Sequence, residues 1–171
     1  MSNDAKIEDD FPGVPLLELE AFLPYQLNVL AEAVSSSLSK LYAERYGISV
    51  PEWRVIATLG QYDTMAARDI GAHSRMHKTK VSRAVASLEA AGRIARCPNE
   101  EDKREVLLTL TDEGRRIYRD LAPLAHSFAE ELLAVLPDDD REALDRIIAR
   151  LRQRSEHLAE RFPNREPVGG V

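Results

Sequence analysis

Basic side chains are concentrated in one short segment of an otherwise acidic chain. Between His73 and Arg96 the sequence contains six Lys and Arg residues but a single acidic residue, Glu89, although the whole chain of 171 residues has a net charge of −6. Such a cluster can bind an anion locally, because charges farther away than about 8 to 10 Å are largely screened at physiological salt. Charge alone leaves two interpretations open: a surface that binds nucleic acid, or a solvated Lys/Arg face without a ligand.

The segment that carries these cations is predicted to be a helix with one apolar and one polar side. At about 100° per residue, the apolar side holds Val81, Ala84, Val85 and Leu88. The opposite side holds Thr79, Ser82, Arg83 and Ala86. Gly92 is expected to end the helix in a left-handed conformation. The side that faces solvent is therefore small, polar and cationic.

Helices are also predicted on the N-terminal side of this segment. From Pro24 to Gly47 the apolar residues recur every three or four positions, which indicates a long helix whose narrow apolar seam suits a partner helix. A second helix is expected to begin near Pro51, because proline is well suited to a first helical turn. A short helix is predicted over 65–74. The cationic helix is therefore the second half of a helix-turn-helix.

Two strands and two further helices are predicted on the C-terminal side. The runs "RIARC" and "REVLLTL" flank the polar turn "PNEEDK" and together predict a β-hairpin. Thr111 is expected to cap a long amphipathic helix, which Pro123 bends. A final helix begins at the acidic run 138–140, where the helix dipole favours negative charge.

The order of these elements predicts a mainly α fold with a small β-hairpin wing, in which long dimerisation helices flank a winged helix-turn-helix. The expected parts are a flexible acidic arm over 1–15, an N-terminal dimerisation helix over 16–47, the winged helix-turn-helix over 48–110, C-terminal dimerisation helices over 111–162 and a flexible tail over 163–171.

Enzyme, metal, cofactor and membrane functions are not expected. No serine has a nucleophile-elbow setting, and there is no Gly-rich loop that would cradle phosphates. His73 and His77 would suit a metal only on one continuous helix, but the predicted turn falls between them. Cys97 has no second cysteine with which to pair. Without a signal peptide or an apolar run of about 18 residues, a cytoplasmic location is predicted.

Two stretches resemble the MarR family of bacterial transcription regulators. "TKVSRAVASLEAAGRI" is similar to that family's recognition helix and following glycine. "NEEDKREVLLTLTDEG" is similar to its wing, with a D-x-R pattern that leads into L-T-x-x-G at the start of the fifth helix. The resemblance covers most of the chain, from about Leu19 to Glu160. It implies a homodimer that binds double-stranded DNA at a palindromic operator, with the two recognition helices in successive major grooves about 34 to 36 Å apart.

Several residues of the helix-turn-helix are candidates for DNA contact. Arg83 is the side chain most suited to read a base, since a guanidinium can bind O6 and N7 of guanine together, although a phosphate contact is the alternative. Ser82 and Thr79 can reach base edges or phosphates. The residues expected at the DNA backbone are Ser74, Arg75, Lys78 and Lys80.

The wing supplies a second group of candidates, which the resemblance implies. Arg104 matches the arginine of the D-x-R pattern and would enter the minor groove, with Lys103 beside it and Asp102 orienting it. A narrow minor groove has an enhanced negative potential that attracts such a side chain. The alternative is an exposed ion pair within the hairpin, worth about 0 to 1 kcal/mol.

The resemblance also implies a small-molecule effector that binds between the dimerisation helices and the winged domain. The residues expected to line this site are Pro24, Tyr25, Asn28, Trp53 and Arg54. Aromatic rings and an arginine suit an aromatic carboxylate. The opening "FLPYQLNVLAEAVS" is similar to that of family members that control the breakdown of aromatic acids, so the effector is predicted to be an aromatic carboxylate or its CoA thioester. The alternative is that these five residues are ordinary core and surface residues.

Two other functions remain open at this point. One is a winged-helix protein-interaction module whose basic strip docks an acidic partner. The other is an architectural DNA binder that does not respond to a ligand. An apolar exposed face would favour docking to a protein, whereas cations and hydroxyls gathered on the predicted recognition helix and wing favour DNA.

Overall fold

The computed structural model describes residues 13–99, 102 and 105–161. It contains two compact units, one that runs to Leu124 and one that begins at Ala125. The described elements are α1 (Leu23–Tyr46), α2 (Val50–Tyr62), β1 (Thr64–Ala66), α3 (Ala67–Ser74), α4 (Lys78–Ala90), β2 (Ile94–Pro98), β3 (Val106–Leu110), α5 (Asp112–Leu133) and α6 (Asp138–Arg161). The predicted arm over 1–15 lies mostly outside the described residues, and the predicted tail over 163–171 lies wholly outside them.

The predicted hairpin forms the larger part of a three-stranded antiparallel sheet with strand order β1-β3-β2. Ile94 pairs with Leu110 at the base of the hairpin, and Thr64 pairs with Thr109 on the other side of β3. The expectation of helix from Met65 onward is wrong for its first two residues. Met65 and Ala66 pair with β3 instead, because backbone pairing with a strand distant in sequence outweighs the weak local preference of so short a segment.

The predicted apolar side of α4 is buried in the first unit. Val81, Ala84, Val85 and Leu88 are at most 4% exposed. The buried residues of the neighbouring elements include Ile56, Leu59, Ile70, Ile94, Leu108, Ile117 and Leu121. Complete burial of a Val or Leu side chain contributes about 1.5 to 3 kcal/mol, so the core determines which side of α4 faces outward.

Three aromatic rings join α1, α2 and α5 within the first unit. Trp53 stacks on Tyr42 with ring centroids 5.7 Å apart and on Tyr118 with centroids 6.5 Å apart. Trp53 and Tyr42 are buried, at 8% and 2% exposure. Such stacked pairs add about 0.5 to 1.5 kcal/mol to the burial of their area. The long helices α1 and α5 are therefore anchored directly to α2, which packs against the buried side of α4.

Two glycines end helices, and one N-terminal cap begins a helix, where the sequence predicts. Gly47 ends α1 with φ +60°, and Gly92 follows α4 with φ +66°. Both values lie in the left-handed region, which glycine adopts without strain. Thr111 caps α5, since its side-chain oxygen accepts a hydrogen bond from the Gly114 backbone N–H at 3.2 Å. The helix then continues through Pro123 to Leu133.

Apolar residues of the long helices are exposed in both units. In the first unit Leu27 and Leu30 on α1 are 47% and 58% exposed. In the second unit Ile147 and Ile148 on α6 are 52% and 53% exposed, and no described residue of α6 is buried. Exposed apolar rows of this kind are typical of surfaces that another chain covers.

Gly114→Ala is expected to lower the free energy of unfolding by about 1 to 3 kcal/mol. An added Cβ would overlap the carbonyl oxygen of Arg93, so the backbone at the start of α5 would have to move. Urea unfolding measures the change, and Arg119→Ala, at an exposed position on the same helix, is the control, with a change within about 0.5 kcal/mol. Equal stability of Gly114→Ala and wild type would contradict this close approach.

Candidate nucleic-acid interface

The turn between α3 and α4 is built by three residues with different roles. Arg75 has φ +53°, a left-handed conformation that is uncommon for a side chain other than glycine. Met76 is 8% exposed and its N–H donates to the Gly71 carbonyl oxygen at 3.0 Å, which ties the turn to α3. His77 caps α4, because its Nδ1 accepts a hydrogen bond from the Thr79 N–H. The predicted break between His73 and His77 is therefore present.

The outward side of α4 carries the predicted contact residues. The exposed ones are Lys78, Thr79, Lys80, Ser82 and Arg83. The side chains of Lys78, Lys80 and Arg83 form no hydrogen bond or ion pair with any other residue that the structure describes. Three cations without a partner among the described residues remain available for an external anion.

Two other cations of the basic segment already have partners. Arg96 forms two hydrogen bonds to the Glu89 carboxylate, at 2.6 and 2.8 Å. The hydrogen bond from Arg96 holds the pKa of Glu89 below its usual value. Arg93 donates to the carbonyl oxygen of Tyr46 at the end of α1, at 2.7 Å. The sequence reveals the cluster of basic residues, but it does not show which of them form hydrogen bonds or ion pairs with other residues of the chain.

The remaining predicted contacts of the helix-turn-helix lie at its turn. Ser74 is half-buried and donates its hydroxyl to the Ile70 carbonyl oxygen at 2.6 Å, so this hydroxyl hydrogen is used within α3. Arg75 is exposed beside it. His73, which directly precedes Ser74, forms a hydrogen bond between its Nε2 and the Tyr62 hydroxyl, at 3.0 Å.

The wing is described only in part. Asp102 is exposed, and its carbonyl oxygen accepts a hydrogen bond from the Glu105 N–H at 2.9 Å. Lys103 and Arg104 lie outside the described residues. At the end of the hairpin next to its tip, beside the Val106–Pro98 pair, Arg68 of α3 lies 3.5 Å from the Glu105 carboxylate. Cys97 in β2 is half-buried, and its thiol donates to the Leu107 carbonyl oxygen.

A buried carboxylate, whose role the sequence does not reveal, connects α2 with α4. Glu52 is 8% exposed and accepts hydrogen bonds from the Ser49 N–H at 2.7 Å and from the Ser87 hydroxyl at 2.6 Å. Burial by itself would raise the pKa of Glu52, but the hydrogen bonds from Ser49 and Ser87 and the charge of Arg93 together hold it below its usual value. The S-x-x-E capping pattern was visible in the sequence; the partner on α4, 35 residues away, was not.

A cavity of about 1050 Å³ opens between α3 and α4. Its floor is apolar and includes Gly71, Met76 and Val85. Its lining also holds four basic residues, Arg68, Arg75, Lys78 and Arg96, although Arg68 and Arg96 are paired with carboxylates. Ser82 also lines it, so the cavity adjoins the outward side of α4. An apolar floor with cations beside it suits a flat organic anion.

The structure divides the five predicted effector residues into two groups. Pro24, Tyr25 and Asn28 are exposed near the start of α1. Trp53 is buried on α2 against Tyr42, which lies 14 residues after Asn28 and therefore about 21 Å farther along α1. Arg54, next to Trp53, is exposed. A single chain does not bring the two groups together.

Two further features bear on the function of the described part of the chain. Its His, Cys, Asp and Glu side chains form no group of three or more that could hold a metal ion. Within the same ranges, no helix combines the length and the apolarity that a membrane span requires.

Glu52→Gln is expected to lower the free energy of unfolding near pH 7 by about 1 to 2 kcal/mol, because hydrogen bonds to a charged group are lost. Since the folded state lowers the pKa of Glu52, this stabilisation is present above the usual value of 4.5 and disappears as the pH falls through the lower folded value. Urea unfolding should therefore show a smaller difference from wild type at about pH 3.5 than at about pH 7, because this stabilisation is lost progressively as the pH falls below the usual value of 4.5. The control is Glu142→Gln on α6, and an equal difference at both pH values would contradict this assignment.

Comparison with known proteins identifies the family. Residues 48–106 match the model of the MarR family. The chain is 30% identical over 125 residues to the uncharacterized HTH-type transcriptional regulator YwoH of Bacillus subtilis, an alignment that covers 73% of this chain and 90% of YwoH. This degree of identity over nearly all of the relative extends the match beyond the winged domain.

Solved structures confirm the predicted winged helix-turn-helix fold. A MarR/EmrR family transcriptional regulator from Acinetobacter sp. ADP1 has a TM-score of 0.76 and 26% identity, over 82% of this chain and 99% of that protein. A putative MarR family regulator from Listeria monocytogenes, solved with a 26mer DNA, shares the fold with a TM-score of 0.72 and 17% identity, over 83% of this chain and 95% of the other. The chain belongs to the MarR family of transcriptional regulators, which bind DNA and are not enzymes.

Proposed function

We propose that this protein is a homodimeric, sequence-specific repressor that binds a palindromic operator and leaves it when a small aromatic acid, or the CoA thioester of such an acid, binds. The observation that carries the DNA-binding part is the outward side of α4, where Lys78, Lys80 and Arg83 have no partner among the described residues. A helix of this kind fits the major groove. In that groove the four base pairs present different patterns of hydrogen-bond donors and acceptors, so a protein can tell them apart.

The contacts on α4 are assigned by chemistry. Arg83 binds a guanine through two parallel hydrogen bonds, and Ser82 and Thr79 contact base edges or phosphate oxygens. The residues assigned to the DNA backbone are Ser74, Arg75, Lys78 and Lys80, which set the register without reading sequence. Asp102, Lys103 and Arg104 complete the surface at the wing, with Arg104 in the minor groove.

The proposed dimer is supported by the exposed apolar rows on α1 and α6. Leu30 on α1 and Ile147 and Ile148 on α6 are each more than half exposed, which is costly for side chains that contribute about 1.5 to 3 kcal/mol when buried. A second copy of the chain would cover them. Two-fold symmetry would then place two copies of α4 about 34 to 36 Å apart, in successive major grooves.

The proposed effector site needs the partner chain. Because Tyr25 and Trp53 are far apart in one chain, we place the predicted site where α1 of one protomer approaches α2 of the other. Arg54 is exposed on α2 and is suited to pair with a carboxylate. The cavity between α3 and α4 is a second candidate, since Arg96 and Lys78 line it. An anion there would compete directly with DNA phosphates.

Arg83→Ala is expected to reduce discrimination between the operator and random DNA by about 1 to 3 kcal/mol, because the base contact is lost. Lys80→Ala should weaken binding to both DNAs about equally, because a phosphate contact carries no sequence information. Competition binding at fixed salt measures both effects, and the same titration should give two chains per operator duplex. Equal losses of discrimination in the two variants would remove the distinction between their roles.

An aromatic carboxylate or its CoA thioester is expected to bind the protein and to lower its affinity for the operator, and Arg54→Ala should weaken that binding about tenfold. Isothermal titration calorimetry against a panel of both compound classes measures this, with Arg152→Ala on α6 as the control. Binding that survives Arg54→Ala but is lost in Arg96→Ala would instead place the effector between α3 and α4. A panel in which no compound binds would contradict the proposed effector class.

A further inference from the structure

The hydrogen bond between Glu52 and Ser87 joins the recognition helix to a different element of the core. The Ser49 N–H and hydroxyl donate to the same carboxylate, at 2.7 and 2.5 Å, and complete the cap of α2. Ser87 is the remaining donor, and it belongs to α4. The carboxylate is thus fixed by α2 and acts on α4 through a single hydroxyl.

Ser87, which makes this bond, lies one helical turn from Arg83 on α4. The two residues are four apart on α4, so their side chains leave the helix about 40° apart and one turn from each other. The apolar contacts of Val81 and Leu88 hold α4 against the core, and the attraction behind them is non-directional. A hydrogen bond is directional, since it prefers donor–hydrogen–acceptor angles above about 150° and weakens steeply below about 120°.

A small roll of α4 would be enough to disturb base reading. At a radius of about 5 to 6 Å, which is the outer surface of a helix with its side chains, a rotation of about 10° moves a side-chain head by about 1 Å. A binding constellation must be held to within about 0.5 Å to work well. A directional bond that fixes the rotation of α4 can therefore matter for base reading even when the apolar side of the helix is fully packed.

We propose that Glu52 is a positioning residue for sequence reading, which sets the rotation of α4 through Ser87 and thereby increases discrimination between the operator and other DNA. This role rests on the proposed function, because it requires that α4 reads an operator. Glu52 itself is too deeply buried to contact DNA.

The test begins with the full-length protein and a pool of random duplexes, from which bound sequences are selected at fixed salt. If wild type selects no common sequence, the proposed function is wrong and this inference falls with it. If wild type selects an operator, the ratio of its affinity for that operator to its affinity for random DNA is measured for Ser87→Ala and Glu52→Gln. Each is expected to lower this ratio about fivefold.

If Glu52 and Ser87 only stabilised the fold, their substitution would not change the ratio of operator affinity to random-DNA affinity. A loss of stability reduces the folded population that binds both DNAs, so it lowers both affinities by the same factor. Ser87→Thr, which keeps the hydroxyl, is expected to restore the ratio. Ser39→Ala is the matched control, because the Ser39 hydroxyl donates to Ser36 within α1. An unchanged ratio in Ser87→Ala and Glu52→Gln would overturn the inference while the selected operator still supports the proposed function.

A double-mutant cycle separates positioning from direct contact of Ser87 with DNA. If Glu52 acts through Ser87, the double variant loses no more discrimination than either single variant. Losses that add in the double variant, or a loss in Ser87→Ala without one in Glu52→Gln, would show that Ser87 contacts DNA directly and would overturn the positioning role.

Discussion

Burial of one side of α4 is the constraint on which the rest of the first unit depends. Val81, Ala84, Val85 and Leu88 are almost completely excluded from solvent, and their combined burial outweighs any single hydrogen bond on the helix. Once that side is inward, the side with Arg83 must face outward. The helices α2 and α3 and the three-stranded sheet provide the surface against which α4 packs, so a non-directional force selects the face that we propose contacts DNA.

Polar contacts at the edges of this core connect α4 to the long helices. Arg93, just after α4, donates to the Tyr46 carbonyl oxygen at the end of α1, and its own carbonyl oxygen accepts from the Thr111 N–H at the start of α5. Gly114 allows α5 to approach that same carbonyl. The ends of two long helices and the base of the wing therefore meet at one residue. An effector that changed the arrangement of these helices would have a short physical route to the wing, with a typical coupling of about 1 to 3 kcal/mol.

The sequence predicted those features that depend on local chemistry. The periodicity of α4, the left-handed Gly92 and the cap at Thr111 follow from neighbours a few residues away, and the structure confirms them. The features that were missed depend on partners distant in the chain. Strand β1 exists because β3 pairs with it, and the role of Glu52 requires Ser87 to be its neighbour in space. Likewise, counting cations could not show that Arg96 is already paired with Glu89 while Arg83 has no partner among the described residues.

We propose that the outward side of α4 reads a specific DNA sequence, and a binding measurement can establish whether it does. Fluorescence anisotropy of the purified protein is followed with DNA from immediately upstream of its own gene and with a scrambled duplex of equal length, across a series of salt concentrations. We expect a preference for the upstream DNA, with affinity that falls steeply as salt rises, because lysines and arginines release counterions when they bind phosphate. Equal binding to both duplexes with no dependence on salt would contradict it.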